Sequence, residues 1–69
     1  MKLKSFLKRL VGDNVRIWDE SDNFPEPLFE GACYDVPKHL QNRKIIKNDG
    51  IAAFKKDNRI WFRVTLKGE

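Results

Sequence analysis

Cysteine is almost missing from this chain: Cys33 stands alone, so no intramolecular disulfide can staple the fold and stability has to come from packing. A reducing, cytoplasmic setting fits that usage. Histidine is as scarce, with His39 the only one, and structural zinc takes four Cys or His ligands. Zinc held within one chain is excluded. The four glycines are isolated at positions 12, 31, 50 and 68, so there is no glycine-rich phosphate loop. Long apolar runs are missing as well. Nothing approaches the roughly 18 residues of a membrane span or the roughly 7 to 15 of a signal-peptide core, and the chain reads as soluble and unprocessed, without a membrane partner. At 69 residues it reads as a single domain over 1–69. A domain of that size buries only about 60% of the surface its unfolded chain exposes, and pockets that enclose small molecules run to roughly 300 Å³ or more. A non-catalytic protein without a cofactor is the expectation.

Charge is present but segregated. Residues 1 to 11 carry Lys2, Lys4, Lys8 and Arg9 and no acid. Residues 12 to 37 carry Arg16 against seven acids, a net of −6, and residues 38 to 69 carry nine bases against three acids, a net of +6. Blocks of opposite sign either orient an encounter with a charged partner or pair with each other in the folded chain.

Apolar periodicity supplies the elements. Leu3, Phe6, Leu7, Leu10 and Val11 follow helical spacing and predict a short amphipathic helix that caps a sheet, stopped by Gly12. Val15-Arg16-Ile17-Trp18 alternates as a strand. Glu20 to Pro27 is a polar turn region in which Phe24-Pro25-Glu26-Pro27 prevents regular pairing. Leu28 to Val36 reads as a second strand, with Gly31 a potential bulge, and Pro37 opens a helical turn through Asn42. Lys44 to Lys47, the turn Asn48-Asp49-Gly50 and Ile51 to Phe54 read as a hairpin, and Lys56-Asp57-Asn58 as a tight turn into the last strand. The expected fold class is α+β, with one N-terminal amphipathic helix packed on a small antiparallel sheet of four or five strands, as an SH3-like barrel or an open sheet.

The last strand carries the strongest functional signal. Its alternation assigns Ile60, Phe62, Val64 and Leu66 to a core and Arg59, Trp61, Arg63 and Thr65 to the outer face, and Arg16 and Trp18 repeat the pairing of arginine with tryptophan. Cationic side chains interleaved with aromatic rings serve single-stranded nucleic acid, where bases stack on the rings, and they equally serve protein interfaces, where Trp and Arg dominate hot spots. A third reading is structural, with arginine stems packing over the rings. The acidic middle block would repel a phosphate backbone, which favours a protein partner over nucleic acid. The partner-binding residues are therefore read as Arg59, Trp61, Arg63, Arg16 and Trp18. An unpaired edge strand would also support a homodimer. Other constellations fail on chemistry. Cys33 and His39 lack an orienting partner for nucleophilic catalysis, and Asp19, Ser21, Asn23 and Glu30 match calcium-loop spacing while Phe24 stands where the loop needs glycine.

Val15-Arg16-Ile17-Trp18-Asp19, Leu28-Phe29-Glu30-Gly31 and Tyr34-Asp35-Val36-Pro37-Lys38-His39-Leu40 together resemble small accessory proteins of phage and prophage genomes. Those share a strand ending in Asp, a second strand with glycine after two apolar residues and one variable residue, and an Asp-apolar-Pro-x-x-Leu turn. The resemblance spans residues 15 to 40. It implies a setting in which small proteins bind, and in some cases block, host enzymes or defence complexes, and it carries no functional residue with it.

Overall fold

The computed structural model describes residues 1–21 and 26–68. Asn23 of the calcium-loop spacing and Phe24-Pro25 of the proline loop lie outside the described residues.

The helix α1 (Leu3–Leu7) is shorter than its apolar stripe. Five residues cannot hold a helix in water by propensity alone, so α1 depends on packing. Leu3 and Phe6 are buried, Leu7 and Leu10 pack partly against the core, and the Phe6 ring meets Phe62 edge-on at 5.6 Å. Gly12 adopts a left-handed φ of +75° and turns the chain away. Val11, just before it, is consequently 93% exposed and does not join the stripe.

Four strands follow: β1 (Asn14–Asp19), β2 (Phe29–Ala32), β3 (Ile51–Lys56) and β4 (Arg59–Leu66). They form one open sheet in the order β2-β1-β4-β3. The sheet is mixed rather than antiparallel, because β1 and β4 run parallel at its centre, from Asn14 beside Trp61 to Asp19 beside Leu66. The two strands whose inner side chains are most apolar take the central places. Val15 and Ile17 of β1 and Val64 and Leu66 of β4 have no exposed surface, and strands buried this way need neighbours on both edges.

The second strand is also shorter than expected. It ends at Ala32 and passes into a 3-10 turn over Cys33–Asp35, while its pairing with β1 runs unbroken through Gly31, without a bulge. Cys33 is thus a buried residue of a turn and not of a strand. Pro37 precedes α2 (Lys38–Gln41), which buries Leu40. Core residues Leu3, Phe6, Cys33, Val36, Leu40 and Ile45 lie against the inner face of the central strands.

No hairpin forms over 44–54. Asp57 and Asn58 take positive φ and make the tight two-residue turn from β3 to β4, as expected. The Asn48-Asp49-Gly50 signal has a different outcome. Ile45 bridges Leu66 and the Ile46 N–H donates to the Thr65 carbonyl at 3.1 Å, while the Thr65 N–H donates to the Gly50 carbonyl at 2.8 Å. Residues 46 and 50 therefore grip the same residue of β4 from one side. The stretch from 47 to 49 is an excursion from a single interrupted edge strand, and it closes so tightly that a Cβ on Gly50 would lie 2.3 Å from the Ile46 carbonyl oxygen.

One ion pair ties this edge to the end of the central pair. Arg43 Nη2 donates to Asp19 Oδ2 at 2.5 Å and to the Lys67 carbonyl at 2.7 Å, with both side chains largely shielded. Hydrogen bonds from the Ser21 hydroxyl, then from Arg43, then from the Ser21 N–H hold the Asp19 carboxyl down at about 2. Its folded value lies below the ordinary 3.8, so the stabilisation is complete above about pH 4 and is lost as pH falls toward 2. Acid titration of the melting temperature is expected to show this loss, and Asp19→Asn to flatten the profile over that window. An equally steep profile in the variant would contradict the role given to Asp19.

Candidate functional site

The outer face of the sheet carries every residue that sequence marks for binding. Side chains of adjacent paired residues share a face, so the register puts Arg16 beside Arg63, Trp18 beside Thr65, and Asn14 beside Trp61. The first and last strands are thus neighbours, and Arg16 and Trp18 do extend the stripe of β4. The register with β3 adds Phe54 beside Trp61, Lys56 beside Arg59 and Ala52 beside Arg63. From β2, Glu30 joins beside Arg16.

These residues interact with one another. Glu30 accepts from Arg16 Nε and from Lys56 Nζ, each at 3.0 Å. Three strand spacings separate β2 from β3, about 14 Å in a flat sheet, so strong twist and two long side chains are needed to close that bridge over the face. Beneath it the Phe54 and Trp61 rings lie 6.1 Å apart at 33°. Arg16 stacks on Phe54 at 4.9 Å and Lys56 on Trp61 at 5.0 Å. Both cations hold the Glu30 carboxyl below its ordinary range, Lys56 contributing most.

Trp61 is consequently half-buried, with its indole Nε1 shielded and without an acceptor among the described residues. Ile60, assigned by alternation to the core, is 53% exposed. Each departure has its own cause. The short helix α1 reaches Phe62 but not Ile60 on the inner face, while Phe54 and Lys56 cover Trp61 on the outer one. Trp18 is half-buried at the other end of the face. Arg59 and Arg63 are exposed, and among the described residues neither forms an ion pair.

No protein-family model matches the chain, and no curated protein or solved structure matches it. Function has to be read from the face itself.

An open cleft of about 270 Å³ lies between Arg16 and Arg63, with Ala52, Ala53 and Phe54 completing its walls. Adjacent arginines repel across a strand pair, and here Glu30 pairs with Arg16 and offsets its charge. The Arg63 charge is left for another anion. A larger recess of about 600 Å³, which the sequence did not reveal, is lined by Met1, Glu20, Lys44, Ile45, Ile46, Lys47 and Lys67. Its lysines come from the segment before β3, as Lys44 and Lys47, and from the end of β4, as Lys67, and only the excess of bases after residue 38 hinted at them. Among the described residues no group of three His, Cys, Asp or Glu side chains is placed to hold a metal, and no helix is long and apolar enough to cross a membrane. Cys33 is buried in the core while His39 is exposed on α2.

Charge segregation is partly resolved by folding. Asp19 with Arg43 and Glu30 with Lys56 join the acidic middle block to the basic C-terminal one. Arg59 and Arg63 are left as cations on the outer face.

Proposed function

We propose that this chain is a non-catalytic accessory module that docks an acidic segment of a partner protein on the outer face of β4 and β1. The observation that carries the reading is Arg63, an exposed guanidinium with no acid partner among the described residues, at the mouth of a cleft walled by the Phe54 ring. Such a cleft admits one carboxylate side chain, with Arg16 a second cation in its wall and the Phe54 ring offering apolar surface to the methylenes. Arg59 and Trp18 flank the docking site, and Trp61 supports it from below. The resemblance over residues 15 to 40 supplies the setting, a phage-type protein whose partner is a host enzyme or defence complex.

Arg63→Glu is the informative variant, because the side chain is exposed and its replacement is expected to leave the fold intact. Recovery of the partner from a host lysate, quantified against wild type, is expected to fall roughly thirtyfold, as for a hot-spot residue worth about 2 kcal/mol. Undiminished recovery removes the face from the reading. Binding to single-stranded DNA or RNA that weakens steeply with salt and is abolished by the same variant would replace a protein partner with nucleic acid.

A further inference from the structure

The edge of β3 is open, and its hydrogen-bonding phase is fixed. The Thr65 N–H donates to the Gly50 carbonyl, which makes Ile51 and Val64 a pair without mutual hydrogen bonds and makes 52 with 63, 54 with 61 and 56 with 59 the hydrogen-bonded pairs. The N–H and C=O groups of Ile51, Ala53 and Lys55 therefore point away from β4. Among the described residues nothing accepts from or donates to them. Their side chains share the inner face with Ile60 and are exposed, Ile51 at 37% and Ile60 at 53%. The opposite edge is different, since β2 has four residues and gives way at once to a 3-10 turn.

We propose that a second copy of this chain pairs along that edge, antiparallel, with Ala53 on the two-fold axis. The sequence of β3 is complementary to itself in this register. Ile51 faces Lys55 of the second copy, Ala52 faces Phe54, and Ala53 faces Ala53. All outward-facing residues of both copies are paired, whereas a slide by one pair in either direction pushes one of them against the 57–58 turn or the 47–49 excursion. Large side chains meet small ones at each non-bonded position, and the smallest sits at the axis. Charge selects the same register. Edge lysines deter strand addition when like charges meet, but here each Lys55 lies opposite an isoleucine. Its aliphatic stem is sandwiched between Ile60 of its own chain and Ile51 of the second copy. The dimer has a continuous sheet through both subunits, with the two outer faces side by side.

Light scattering and sedimentation over a wide concentration range are expected to show a mass twice the 8.2 kDa of one chain, dissociating on dilution. Ala53→Pro removes an N–H that none of the described residues accepts, and is expected to give a folded monomer. Ile51→Lys places lysine against Lys55 twice and is expected to weaken association roughly tenfold or more. Lys55→Glu added to Ile51→Lys turns both contacts attractive and is expected to restore it. A wild-type protein that stays monomeric at millimolar concentration overturns the proposal. So does a dimer indifferent to Ile51→Lys, or a failure of the double variant to recover. Ile51 and Lys55 lie off the outer face and Arg63 lies off the edge of β3, so association and Arg63-dependent capture are read by separate variants.

Discussion

Leu66→Ala is expected to cost about 3–5 kcal/mol, the upper part of the range for leucine truncation, because Leu66 has no exposed surface and lies in the central strand. Its neighbours come from distant parts of the chain. Asp19 pairs with it from β1, Ile45 bridges to it from the interrupted edge, and its carbonyl accepts the Glu20 N–H at 2.9 Å. Few of these can move inward to fill the void without giving up a backbone bond. A chain of 69 residues has a total stability of only about 3–10 kcal/mol, so the variant is expected to melt at least about 12 °C lower by circular dichroism, or to be unfolded at room temperature. Val11→Ala serves as control. Its side chain is 93% exposed, and truncation there is expected to stay within about 0.5 kcal/mol of wild type. Melting of Leu66→Ala within a few degrees of that control would contradict the core described above.

Gly50→Ala adds one carbon and is expected to cost about 2–3 kcal/mol, in the manner of overpacking rather than of a cavity. The new Cβ would lie 2.3 Å from the Ile46 carbonyl oxygen and 2.6 Å from Ile45 Cγ2. Neither atom yields easily, since the Ile45 side chain is buried and the Ile46 N–H is bound to Thr65. Relief requires opening one of the two bonds that hold residues 46 and 50 to Thr65. The loss therefore has a local signature. Hydrogen exchange is expected to lose protection at the Thr65 amide well before the amides of β1, and an alanine variant as stable as wild type would contradict the close approach.

Local pattern made some of this fold readable and left other parts dark. Alternation assigns Val64 and Leu66 to the core and sets Val15 and Ile17 on one side of their strand, and residue type marks the turn at Asp57-Asn58, because each depends on only a few neighbouring residues. Asn48-Asp49-Gly50 carried an equally strong turn signal and misled. Turn chemistry says that the chain reverses, and not which strand receives the segments on either side; here both pair with β4. The parallel centre was invisible for the same reason, since Val15 and Phe62 pair across most of the chain. Trp61 and Ile60 failed differently. Alternation correctly says which face each side chain leaves from, but exposure depends on what covers that face, and neither the reach of α1 nor the bridge from Glu30 to Lys56 is written in the strand itself.

The parallel pairing of β1 with β4 also orders events in time. During vectorial synthesis the apolar face of β1 emerges long before the strand that will cover its other edge, with only the short β2 available as a neighbour. Two strands make at best a marginal unit in water, so Val15 and Ile17 remain sticky until residues 59 to 66 arrive. Once they do, a long loop has to close before the central pair can form, and contacts of such high sequence separation slow the search.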